Sequence, residues 1–125
     1  MTSLWQFLVI GYVATVLIET PVLWFGLSRA HSRARRLFAG LWLTACTYPV
    51  VVLVFPMCLE GASRAAYLLV AEVFAPVAEC GLFWAAFGTR GDRCSWARDA
   101  VTITAANLLS FGLGEAWHGI SRLAA

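Results

Sequence analysis

Glu72 and Glu79 interrupt an apolar run, "LLVAEVFAPVAECGLFWAAF", residues 68–87. Seven residues apart, they fall on nearly the same face of a helix. Glu19 sits in a second such run, "LWQFLVIGYVATVLIETPVLWFGL", and Glu115 in a third, "DAVTITAANLLSFGLGEAWHG". A charge at the middle of a membrane helix costs about 2.5–3.5 kcal/mol on insertion scales. Three near the centre together cost roughly 8–10 kcal/mol, less if protonated, unless the carboxyls face inward and find partners. Inward carboxyls with partners are the chemistry of a proton or small-cation site.

Helical spacing supplies the partners. Thr15 and Glu19 share a face, as do Gly40, Thr44 and Thr47 with Tyr48 beside them. Glu72, Ala75, Pro76 and Glu79 form a third stripe. Thr104, Asn107, Phe111 and Gly114 form a fourth, with Ser110 alongside. The candidate ion- or proton-binding set is therefore Glu19, Glu72, Glu79, Asn107, Thr44, Thr47, Tyr48, Ser110 and Glu115. By depth, Glu19, Glu79 and Asn107 make an inner tier and Glu72 and Glu115 an outer one. Glu79 is expected to be the principal ionisable group and Glu72 its companion, the two titrating as a coupled pair. Pro21, Pro49 and Pro76 each lack an N–H and free a carbonyl one turn earlier. They are candidates both for helix packing and for lining such a site. Ser110-x-x-x-Gly114 is a small-residue step that lets helix backbones approach.

The elements that must position these residues are four apolar segments, about 4–27, 37–58, 65–87 and 99–119. Each is long enough to cross a ~30 Å hydrocarbon core at ~1.5 Å per residue. The chain has 125 residues, 61% hydrophobic and 13% charged. Its mean hydropathy is +0.77. A soluble domain carries about 25% charged residues, and here the charges gather in short connectors. The fourth segment is the most polar and is stable in lipid only against other helices. No sustained two-residue alternation suggests strands. The expected fold is all-α: one integral membrane domain, 1–125, an up-down bundle of four proline-kinked transmembrane helices.

Arginines orient it. Arg29, Arg33, Arg35 and Arg36 fall in the first connector and Arg90, Arg93 and Arg98 in the third, against Arg64 and Arg122 on the other side. All nine basic residues are Arg and none is Lys, a composition expected of a GC-rich bacterial genome; in a bacterial inner membrane, seven against two predicts both termini periplasmic. Trp5, Tyr67 and Trp117 would mark the outer interface, and Trp24, Trp84 and Trp96 the inner one. The first helix reads as a retained span, without the positive region and cleavage site of a signal peptide. No lipidation motif is present.

Other chemistries find little support. No HExxH, GxSxG or transmembrane Ser–His or Cys–His pair occurs, so no enzyme and no cofactor are expected. Cys46, Cys58, Cys80 and Cys94 show neither CxxC nor zinc spacing. Cys46 and Cys80 are expected to pack as small hydrophobes, and Cys58 and Cys94 lie at opposite ends, too far apart to bridge. His31, in the basic loop, is expected to be solvated or to touch lipid phosphate, and His118 to lie at the outer interface. A net charge of +2 does not suggest nucleic acid. The expected partners are the lipid bilayer and either further copies of the chain or a larger membrane complex. An accessory subunit of such a complex is the alternative to a proton or cation pathway. Against the pathway stands the plainer reading that the glutamates are protonated or hydrogen-bonded helix glue.

The ordered set "ETPVL", "TYPVV", "AEVFAPVAE" and "ANLLSFGLG" resembles an uncharacterised family of small four-span bacterial membrane proteins. That pattern has Glu-x-Pro, Thr-x-Pro, two Glu seven apart and Asn-x-x-Ser-Phe on successive helices. Glu19 and Pro21, Thr47 and Pro49, Glu72 and Glu79, and Asn107, Ser110 and Phe111 hold the matching positions. The resemblance implies the four-span fold and no named activity. Thr44 departs from it, where the family pattern leads one to expect Asn shortly before Thr-x-Pro.

Overall fold

The computed structural model describes residues 3–88 and 93–124. Arg90, part of the orientation argument, lies outside them. The described chain is helical, with no β-strand among the described residues. α1 runs Leu4–Gly26, α2 Arg33–Pro49, α3 Phe55–Cys58, α4 Arg64–Phe87 and α5 Arg93–Leu123, with a π-helical segment, Val50–Val54, between α2 and α3. Serines start three of these helices. Ser3, Ser32 and Ser63 each accept the backbone N–H three residues on, and Gln6 returns the bond to the Ser3 N–H. α4 stops at Gly88, whose φ of +66° takes the chain out of the helix.

The helix expected over 37–58 differs in detail. It begins at Arg33, where Ser32 caps it, and changes character after Pro49. Proline supplies no N–H to the turn before it. The chain then widens, and the Phe55 N–H donates to Val50 O, five residues back. Tyr67 Oη donates to Val51 O at 2.6 Å, so one carbonyl of the irregular stretch is paired from α4. α5, expected over 99–119, is 31 residues long, about 46 Å at 1.5 Å per residue.

Among the described residues, three helical segments are long and apolar enough to cross a membrane: Leu4–Gly26, Arg33–Cys58 and Arg64–Phe87. α5 is longer, but Thr102, Thr104, Asn107, Ser110 and Glu115 make it more polar. α1 packs on α2 and α5, and α4 packs on the same two, so α2 and α5 separate α1 from α4. The surface is the reverse of a water-soluble protein's. Trp5, Leu17, Phe25, Val77 and Val101 are each more than 65% exposed. Outward aliphatic and aromatic side chains of this extent fit a hydrocarbon solvent and not water.

The fully buried apolar residues are Leu23, Leu27, Ala39, Leu43, Phe83, Ile103 and Ala106, joined by Cys80. All lie between mid-bundle and the end where α1 meets α2, here called the arginine end. Close helix approach is built in there. A Cβ at Gly40 would run into Thr20, and one at Gly26 into Thr102. All four cysteines are free. Cys80 is buried, Cys46 half-buried, and Cys58 and Cys94 exposed at opposite ends.

Candidate functional site

At mid-bundle, each of two glutamates is held by the same two helices. Glu19 of α1 accepts from Thr44 Oγ1 of α2 at 2.8 Å and from Ser110 Oγ of α5 at 2.6 Å. Glu79 of α4 accepts from Thr47 Oγ1 of α2 and from Asn107 Nδ2 of α5, both at 2.7 Å. Glu19 is 2% exposed and Glu79 1%. Thr44 and Thr47 are three apart on α2, as are Asn107 and Ser110 on α5, so each helix offers two donors on one face. Glu19, Thr44, Thr47, Glu79, Asn107 and Ser110 thus close a ring through all four long helices, one donor on every carboxylate oxygen. Buried polar groups are tolerated on this condition, and a half-filled ring would cost more than none.

The hydroxyls have a second choice. Thr44 Oγ1 is also 3.0 Å from Gly40 O, Thr47 Oγ1 3.0 Å from Leu43 O, and Ser110 Oγ 2.9 Å from Asn107 O. A hydroxyl has one proton to give and two lone pairs to receive. Asn107 gives its second amide proton to Ile103 O at 3.0 Å, and two acceptors on the same nitrogen fix which way the amide points.

A second buried polar cluster sits at the arginine end. Asp99, nearly two turns into α5, accepts from the Ser28 backbone N–H at 2.6 Å and the Ser28 hydroxyl at 3.2 Å. His31 Nε2 lies 2.8 Å from Asp99 Oδ2. His31 and Asp99 are each 4% exposed, and the imidazole stands edge-on to Phe83 at 4.8 Å between centroids. Arg36 donates to Trp24 O at 3.0 Å, Ser28 O at 3.0 Å and His31 O at 3.2 Å, and Arg98 Nε donates to Gly26 O at 2.7 Å. Two guanidinium groups thus pair carbonyls at and just past the C-terminus of α1, where a helix leaves them unpaired and its dipole favours cations. This cluster joins the end of α1 and the first connector to the starts of α2 and α5. The fully buried apolar layer separates it from the glutamates.

Of the expected set, Glu19, Glu79, Asn107, Thr44, Thr47 and Ser110 come together. Three residues do not join them. Tyr48 turns aside to Tyr12, with its hydroxyl over Gly11. Glu115 is bound by Arg64 at 2.6 and 2.8 Å, well away from mid-bundle. Glu72 is half-buried and makes no hydrogen bond among the described residues; it lies close enough to Glu115 to feel its charge. Glu19, expected in the same tier as Glu79, shares the ring with it; Glu72, expected to be its coupled companion, lies two helical turns and ~10 Å along the axis. Pro76 is buried beside the ring, Pro49 half-buried and Pro21 exposed. Gly114 meets no neighbouring helix; Ser110 spends its hydroxyl on Glu19, and the two make no intrachain packing step.

His31 is a correction. It is buried against Asp99 and not solvated. The omitted residue is Asp99, and the signal was present: 99, 103, 106 and 110 form one helical stripe that ends on Ser110. No protein-family model, curated protein or solved structure matches this chain.

Proposed function

We propose that this is a four-span membrane protein, arginine end in the cytoplasm, whose Glu19–Glu79 pair takes up and releases a proton at mid-bundle. The supporting observation is the double choice open to every hydroxyl in the ring. With a charged carboxylate, Thr44, Thr47 and Ser110 donate to it. With a protonated one, the carboxyl O–H donates to a hydroxyl oxygen, and that hydroxyl turns its proton to the backbone carbonyl. Either state leaves its polar atoms paired, so the site can change charge without stranding a group. Helix glue needs no such property, since membrane hydrogen bonds average about 0.6 kcal/mol and an amide would provide them without a buried acid.

A proton is favoured over a metal cation by the donor set. Donors face all four carboxylate oxygens, Asn107 turns its NH2 and not its carbonyl inward, and no group of three or more His, Cys, Asp or Glu among the described residues could hold a metal ion. An open pore is disfavoured, because Leu23, Leu27, Leu43, Phe83 and Ile103 have no exposure. The site is therefore one of exchange.

Infrared difference spectra of the protein in bilayers test this directly. A protonated-carboxyl band should appear and vanish across a pH titration, and Glu79→Gln should remove it with the fold intact. Proton flux in liposomes should fall in the same variant. A parent protein with no titrating carboxyl band would end the proposal.

One observation favours the accessory role as a second reading. From Gly112 to Ala124 every residue of α5 and its end is exposed except Glu115, which is half-buried, so a length of helix stands uncovered. A stoichiometric larger partner recovered in mild detergent would support that role.

A further inference from the structure

The buried residues are distributed unevenly along the bundle. From the glutamate ring to the arginine end, the interior is sealed by the apolar layer and closed by the Asp99 cluster. On the other side of the ring, among the described residues, only Pro76, beside it, and Ala71 are buried. Thr15, one turn beyond Glu19, and Ala75, one turn beyond Glu79, are half-exposed. Glu72 stands farther along the same face of α4. It is partly exposed and takes no donor.

From these features we infer that the Glu19–Glu79 pair exchanges its proton only with the face opposite the arginine end, and that Glu72 relays it. This rests on the proton-binding reading above and adds its sidedness and a residue. Across the ~10 Å between Glu72 and Glu79, the transfer runs through water between the helices. Hydronium at the outer face gives a proton to the Glu72 carboxylate and becomes water, the Glu72 O–H breaks as the next water takes that proton on, and the O–H bond of the last hydronium breaks as one forms at Glu79 Oε1. Thr47 then swings its own proton from Glu79 to Leu43 O. Among the described residues, the titratable groups of this half are Glu72 and Tyr67 on α4, Glu115 on α5 with Arg64 bound to it, Tyr48 on α2 and Tyr12 on α1, with Cys58, Glu60, His118 and Arg122 exposed at its outer end. Only Glu72 is both on the Glu79 face and free of a hydrogen bond. Among the described residues, the acid at the arginine end is Asp99, spent on Ser28 and His31.

Thiol access tests the route without depending on titration. The full chain, freed of reactive native cysteines, is placed in vesicles, and Cys58 and Cys94, each kept singly, report the two ends. Thr15→Cys and Ala75→Cys should react with a membrane-impermeant methanethiosulfonate from the side that modifies Cys58. Ala39→Cys and Ala106→Cys should react from neither side. Glu72→Gln, which breaks no hydrogen bond, should slow protonation of Glu79 after a pH jump on that side by about 100-fold, the low end of what a positioned proton donor contributes. Its equilibrium titration should remain. Labelling of Ala39→Cys or Ala106→Cys from the Cys94 side, silence at Thr15→Cys and Ala75→Cys, or an unchanged rate in Glu72→Gln would each overturn the inference. A chain that labels as expected but never titrates would refute the proton-binding reading and keep the access route.

Discussion

Asp99→Ala should loosen the arginine end more than any other single polar change. The carboxylate receives the Ser28 N–H at 2.6 Å, the Ser28 hydroxyl at 3.2 Å and His31 Nε2 at 2.8 Å. The hydroxyl can rotate to another acceptor, but the backbone N–H and the imidazole cannot. Each buried donor left without a partner costs about 1–3 kcal/mol, so the expected loss is about 2–6 kcal/mol. Against a total of about 5–15 kcal/mol for a typical fold, that is a large fraction. Asp99→Asn is the control. Its oxygen can keep the Ser28 N–H, but its NH2 can face His31 only with the imidazole proton on Nδ1, which is buried without a partner, so one donor is stranded instead of two and the loss should be about 1–3 kcal/mol. Titration with a denaturing detergent, followed by helical circular dichroism, reads both. Asp99→Ala within about 0.5 kcal/mol of the parent, the range of a featureless surface change, would refute the idea that this cluster holds the end closed.

Glu79→Gln and Glu19→Gln, singly or together, should unfold within about 1 kcal/mol of the parent, because an amide meets the same hydroxyls that a protonated acid does. Detergent titration checks this alongside the infrared test. Gly40→Val should cost about 1–3 kcal/mol through the clash with Thr20, whereas Gly114→Ala, in open space, should gain up to about 1 kcal/mol from helix propensity; thermal melts in micelles compare them. Arg64→Ala should change stability by less than about 1 kcal/mol, since its pair with Glu115 is exposed. Its melt in high salt should match the parent's in high salt.

Much of the site was legible in the sequence. Glu19, Thr44, Thr47, Glu79, Asn107 and Ser110 stood out because acids, amides and hydroxyls in apolar runs need partners, and helical spacing put them on common faces. Depth along the helices already put Glu19, Glu79 and Asn107 in one tier, and the ring brings them together. What spacing misassigned was the coupled companion of Glu79: periodicity along one helix ties it to Glu72, but contacts between helices tie it to Glu19. His31 misled for a related reason. Four arginines around it suggest solvent, yet the chain folds back so that Asp99, 68 residues later, meets its ring. The π-helical segment was foreshadowed by Pro49, but a proline shows where a helix is disturbed and not what form the disturbance takes.

The ring also bears on how the chain is made. Glu19 meets Thr44 after 25 residues but Ser110 only after 91. At ribosomal rates of about 5–20 residues per second, that interval lasts roughly 5–18 s. Until then α1 carries an acid with one of its two donors absent, and Glu79 waits in the same way for Asn107. The helix that brings both is α5, the one least able to enter lipid by its own hydropathy. On the proposed four-span reading, its insertion would be a joint product of the earlier spans: α1 and α4 hold two unsatisfied acids at the depth where α5 presents an amide and a hydroxyl, and those two vacancies would draw the last helix across.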